Sequence, residues 1–367
     1  MERKQLNSSQ FFILIFVCGM AIKMFMLPAL LVKVSGRESI VVVAFYLVIE
    51  MVCLLFLLLT LSRNPDKTVY QILEESVGKI ISKIIIVYFS GVLLLKLLLM
   101  LSEVKVFFSV SIYERISWGI MIIPLLALCV GFSTKPLTAI GRSAQIFMPL
   151  IVVSTIILSL LLSSNVPVLN ILPLFSKGMK STVDGIKTFT VWFGDVSLLL
   201  ICLGKVKIGK KFVLKAMISR LLSTVFVLAF SLIMFATYAD ITDLIDYGHN
   251  VSSMTQYSLG SHDYGRFDYI IYCFWMLAVV VKIILNFYAL SQNVRYVSEK
   301  SSKIIIPLII FALVYVLTTF VFNNENSVYQ IATGIARIVF LPAEFLLPFL
   351  VFLLAIIKYK RAEERRE

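Results

Sequence analysis

Six ionisable residues, Lys23, Glu50, Lys96, Glu103, Asp195 and Lys282, stand inside long apolar runs of a 367-residue chain. A charge at membrane depth costs roughly 2.5–3.5 kcal/mol on insertion scales, so such residues mark pairing partners or ligand groups. The three positive and three negative charges cancel, as a mutually paired set requires. On a helix Lys96, Glu103 and Phe107, spaced by seven and four, share one face. The chemistry on offer is recognition of a small charged molecule, with structural ion pairing or snorkelling lysines as the alternative; Glu50 fits a purely structural role best. Catalysis is not expected. The two histidines, His249 and His262, lie in a polar segment with Asp246 and Asp263, a setting of solvated loop residues rather than a metal site. Five cysteines, an odd count scattered through apolar runs, read as small core residues and not as a disulfide or zinc framework. No cofactor is called for.

The elements that must position these residues follow from composition. Sixty per cent of the chain is apolar or aromatic and 15% is charged, with a mean hydropathy of +0.96. Soluble domains run at roughly 45–50% apolar and about 25% charged, so the excess faces lipid. A spanning helix needs roughly 20 apolar residues. Ten runs qualify, at 9–34, 40–61, 80–108, 117–132, 142–162, 185–203, 212–238, 267–291, 303–322 and 335–359. The expectation is an all-α membrane protein, one transmembrane domain over 1–367 with ten transmembrane helices. The apolar stretch near the N-terminus is too long for a signal sequence and is expected to be retained.

Lysine and arginine set the orientation. With the N-terminus inside, twenty of them fall on inner segments and five, Arg37, Arg115, Lys177, Lys180 and Arg266, on outer ones. Both termini are therefore expected to be cytoplasmic. The same bias accounts for the net charge of +13, including the cluster from Lys205 to Lys215, without nucleic acid.

The two halves carry matching punctuation. Val69, Ile72, Leu73 and Val77 line one face of a connector helix at 68–77, opposite Glu74 and Glu75, and 240–246 repeats the amphipathic pattern five spans later. One connector inside and one outside is what a five-plus-five inverted repeat requires, with halves at 9–162 and 185–359. Breaks match too: Gly19 and Pro28 bracket the middle of the first run, and Trp192-Phe193-Gly194-Asp195 interrupts the sixth. Helices 1 and 6 are expected to be discontinuous and to face each other across a cavity, because unwound backbone frees N–H and C=O groups for a ligand.

These residues resemble a family. Ser8, Ser9, Gln10, Phe11 and Phe12 with Gly19 and Pro28, the region of Glu103, the segment from Asn165 to Pro173 with Gly178, and the acid after Phe193-Gly194 are similar to the permease-like B subunits of endospore germinant receptors. That family belongs to the amino acid/polyamine/organocation superfamily, whose fold is the LeuT-type inverted repeat. There are two departures: Asp195 stands where the family has Glu, and Gly19-Met20 where it has Gly-Ser. The resemblance implies a subunit of the spore inner membrane that recognises a small germinant, commonly an amino acid, at the membrane midplane beside A and lipoprotein C subunits. It implies a carboxylate held by backbone N–H groups across Gly19, Met20, Ala21, Ile22 and Lys23. An ammonium would go to Asp195 or Glu103, with Phe107, Trp192 and Phe193 as an apolar wall around the Gly194 break. In sodium-coupled relatives a cation lies between spans one and eight; Lys23 or Lys282 would replace it. An amino-acid or cation transporter of the same fold needs the same pocket, whereas a channel is disfavoured because the sequence shows neither a filter-like loop nor a ring of charges.

Overall fold

A computed structural model of the chain describes residues 5–24, 27–111, 117–163, 178–238, 268–299 and 302–363. The expected second connector at 240–246, the segment 165–173 and both histidines lie outside the described residues. The described residues are helical apart from short connections, with a single parallel bridge between Leu6 and Val206.

In chain order the helices are α1 (Ser8–Met20), α2 (Leu27–Ser35), α3 (Ser39–Arg63), α4 (Val69–Val77), α5 (Lys79–Ser111), α6 (Trp118–Ser133) and α7 (Leu137–Ser163). They continue as α8 (Met179–Thr188), α9 (Phe212–Tyr238), α10 (Asp268–Ser298), α11 (Ile305–Val316), α12 (Glu325–Ile331), α13 (Arg337–Leu341) and α14 (Leu347–Glu363). Among the described residues six helical stretches are long and apolar enough to cross a bilayer, and a seventh is formed if the bent pair Met179–Thr188 and Thr190–Cys202 is one span. Three shorter apolar stretches, Ser8–Met24, Trp118–Ser133 and Ile305–Val321, complete the set of apolar helices. Ile120, Ile146, Phe320 and Ile335 are 70–75% exposed. Faces this apolar belong against hydrocarbon, and the chain is an integral membrane protein.

Local chemistry explains the connector. Thr68 accepts from Gln71 N at 3.3 Å while its own N–H donates to Gln71 Oε1 at 2.9 Å, a reciprocal cap that starts α4. Gly78, at φ +83°, stops it. Leu73 and Ile72 face inward, as their spacing predicts.

The core gathers around α1 and α10. Helix α1 packs on α9 and α7, α10 on α5, α6 and α7, and α3 on α9 and α14. The last apolar run is not a regular helix: α12, α13 and α14 are joined by π-turns at Ala332–Ala336 and Pro342–Leu346. Pro342 has no N–H to give the preceding turn, which favours this local widening. Glu344 sits in the second π-turn.

Candidate functional site

The first break lies where α1 ends. Ala21 N makes the last helical bond, to Val17 O at 3.0 Å, and a 3-10 turn over Ile22–Met24 carries Lys23 inward. Gly19 is needed one turn earlier for a packing reason. A Cβ there would run into the Arg220 guanidinium and come within 2.5 Å of Ser223 Oγ.

The second break follows α8. Its chain turns through a 3-10 segment at Thr190–Trp192, passes extended through Phe193, reverses at Gly194 and resumes as 3-10 helix at Ser197–Cys202, bending the pair by 56°. Gly194 has φ +84°, and a Cβ would collide with the Glu344 side chain, so glycine is required on both counts. Tyr46 braces the break by stacking on Phe193 at 4.3 Å and bonding Thr190 Oγ1 at 2.8 Å, while its hydroxyl also donates to Ile186 O.

Between the breaks lies an ion-pair cluster. Lys23 Nζ is 2.8 Å from both Glu50 oxygens and 2.9 Å from Asp195 Oδ2. Asp195 Oδ1 also meets Lys282 at 2.7 Å and Lys96 at 3.3 Å. Lys96 pairs with Glu344 and donates to Phe193 O at 3.1 Å. Arg220 pairs with Glu50, whose Oε1 also accepts from Gly194 N at 2.8 Å and Asp195 N at 3.2 Å. Glu103 Oε1 accepts from Trp192 Nε1 at 2.5 Å. None of the eight ionisable residues is more than 5% exposed, so the lysines do not snorkel. Lys23, Lys96, Arg220 and Lys282 balance Glu50, Glu103, Asp195 and Glu344. Excess charge of either sign would be uncompensated in a medium that solvates it poorly.

The cluster borders a small cavity lined in part by Ile22, Glu103, Trp192, Lys96 and Lys282. Its volume is about 10 Å³, room for about one water. Glu103 Oε2 is buried without a hydrogen-bond partner and belongs to this lining residue.

The structure joins Lys23, Glu50, Lys96, Asp195 and Lys282 directly and sets Glu103 and Trp192 beside them. Ile22 lines the cavity, whereas Gly19 serves Arg220; Met20 and Ala21 are buried in the turn between them. Phe193 lies under the Lys23 ammonium, 5.0 Å from the ring centre. Phe107 is one turn from Glu103 but packs edge-on against Tyr272 and Trp275, outside the cavity lining.

Two members escaped the sequence reading, Arg220 and Glu344. Both lie within apolar runs, and the rule that flagged the other six applies to them. Arg220 is masked by its place in the first third of its run, next to the basic cluster; Glu344 follows the first of two prolines and looks like the end of a helix.

The family model described as spore germination protein, the spore permease family, matches residues 5–328. Glu344 lies beyond the matched stretch. No curated protein matches the chain.

Proposed function

This chain belongs to the spore permease family of spore germination proteins, and from that premise we propose that it is the germinant-sensing, permease-like subunit of an endospore germinant receptor. In this reading it has ten spans in a five-plus-five inverted repeat, with both termini cytoplasmic, and works in the spore inner membrane beside A and C subunits. It is not an enzyme; it binds a small molecule, an amino acid by class, at the midplane.

The observation that supports this is the meeting of two helix breaks on one neutral, buried ion-pair cluster beside a cavity. An α-amino acid carries the same two charges as the groups around it. Its ammonium suits the open oxygen of Glu103, and its carboxylate competes with Asp195 for Lys96 and Lys282. A one-water cavity does not admit an amino acid, so binding must part the break after α1 from the break after α8. A ligand that prefers the parted state shifts the population toward it, and that shift is the signal. Lys23 and Lys282, both on Asp195, hold the first and eighth apolar runs to the sixth without a sodium ion.

An active amino-acid or cation transporter of the same fold is the alternative, favoured by the paired breaks, since alternating access also needs hinged half-helices. Binding and uptake of labelled amino acids, measured in the same proteoliposomes, separate the two. Saturable binding without accumulation is the expected result. Concentrative uptake would replace the sensor with a transporter, and no binding by any amino acid, even with A and C subunits present, would overturn both the amino-acid sensor and the amino-acid transporter.

A further inference from the structure

A second cavity lies between α5, α6 and α10. Its volume is about 210 Å³, and Val104 and Phe108 of α5, Trp118 and Leu125 of α6, and Val280 and Ile283 of α10 contribute to its lining. Every lining residue is apolar or aromatic. Water does not settle in such a space: apolar cavities of about 150 Å³ stay dry and take up hydrocarbon instead. Walls of this kind gain dispersion contacts from a hydrocarbon occupant.

The cavity does not end inside the protein. Pro124 and Leu128 also line a groove of about 760 Å³ that continues along α6 past Ala127 and Phe132. Leu128 is exposed, as are Ile120 and Ile123 on the same helix, so the groove opens toward the hydrocarbon of the bilayer. From Trp118 to Leu128 α6 rises about 15 Å, at about 1.5 Å per residue. That is half of a hydrocarbon core about 30 Å thick, the depth of one leaflet.

One side-chain N–H interrupts the apolar lining. Trp118, the first residue of α6, is 8% exposed, and its Nε1 is buried with no hydrogen-bond partner. An indole only donates, so what it lacks is an acceptor, and a buried donor left unsatisfied is costly. A phospholipid carries such an acceptor at the head of each chain, in the ester carbonyl beside the first methylene. Tryptophan at the end of a span stands near the level of the headgroups. An apolar slot of leaflet depth, open to lipid and with a lone donor at its end, is the complement of an esterified chain.

We infer that this cavity holds one acyl chain of a phospholipid, with its ester carbonyl on Trp118 Nε1 and its methylenes running along α6 toward Leu128. The slot backs onto the central cluster, since Val104 follows Glu103 and Ile283 follows Lys282. The chain therefore braces, from the lipid side, the two helices that carry Lys96, Glu103 and Lys282. The inference is independent of what the central cavity binds.

The test uses the full chain purified in detergent, with bound lipids counted by native mass spectrometry as phosphatidylcholine is added. A first lipid that binds saturably, ahead of all others, is expected. Val280→Phe, which fills the slot, should weaken that first step at least about tenfold, the loss expected when the buried methylenes are displaced. Ile309→Phe, on an exposed face of α11, should leave it unchanged, and Leu125→Phe serves if Val280→Phe does not fold. Phosphatidylcholine with ether-linked chains has no ester carbonyl. Wild type should bind it about fivefold more weakly, the scale of one hydrogen bond, and Trp118→Phe should bind both lipids alike. The proposal is overturned if the slot-filling variants hold the first lipid as tightly as wild type, if the ester lipid has no advantage in wild type, or if Trp118→Phe keeps that advantage. Uptake of free n-octane with no saturable lipid step would overturn it as well.

Discussion

Glu50 caps the break beside Gly194: one carboxylate oxygen accepts the Gly194 N–H at 2.8 Å while the same side chain pairs with Lys23 and Arg220. A glutamate expected to be purely structural thus bonds the unwound backbone, the cation of the first break and the arginine of α9 together. Glu50→Gln keeps the shape and an acceptor but leaves two cations over-charged. Removing one partner of a buried pair costs about 3–5 kcal/mol. A fall in the unfolding midpoint of the purified protein is expected, and Arg220→Met in the same chain should restore part of it. Strictly additive losses in that double-mutant cycle would show that the two residues are not coupled.

Gly19 gives a sharper steric test. Because a Cβ there meets the Arg220 guanidinium, Gly19→Ala should displace Arg220 from Glu50 and cost about 1–3 kcal/mol, the range for overpacking a filled core. The combination with Arg220→Met should lose less than the sum of the single changes. Full stability of Gly19→Ala alone would mean that the arginine has another route to Glu50.

Asp195→Asn removes the charge on which Lys23, Lys96 and Lys282 converge. It should abolish the response to an amino-acid germinant while the protein still reaches the membrane. A normal response would remove Asp195 from the signalling site, and loss of the protein itself would leave only the structural pair. Lys23→Met should destabilise more than Lys282→Met, since Lys23 holds two carboxylates and Lys282 one. Replacing sodium by potassium should leave ligand binding unchanged; a strict sodium requirement would refute substitution of the ion by a lysine.

Acid should loosen the far end of α10. Glu299 is gripped by Lys79 at 2.7 Å and Lys83 at 2.6 Å, and these hydrogen bonds hold its carboxyl down to about 2, against an ordinary 4.5. A group with a depressed folded-state pKa contributes stability above its unfolded value and loses it as pH falls toward the folded one. Midpoints of wild type and Glu299→Gln should therefore differ above about pH 4.5 and converge as pH approaches about 2. Parallel curves across that window would show that the contact adds nothing.

The sequence alone determined what short-range physics controls. Apolar runs of bilayer length, the Thr68 cap of α4, and the glycines that permit a break at Gly194 act within a few residues of themselves, so local pattern suffices to find them. The charges at membrane depth were legible as a class because burying each is costly wherever it lies. Their partners were not, since Lys23 and Glu50 are 27 positions apart, Glu50 and Arg220 170, and Lys96 and Glu344 248. No periodicity links residues at such separations; only the packing of α1, α3, α5, α9 and α10 around the breaks does. Tertiary structure alone decided that Gly19 makes way for an arginine, that Phe107 turns toward Trp275, and that the cavity closes to the size of one water. Each depends on which side chain fills a shared volume, a quantity absent from any single stretch of chain.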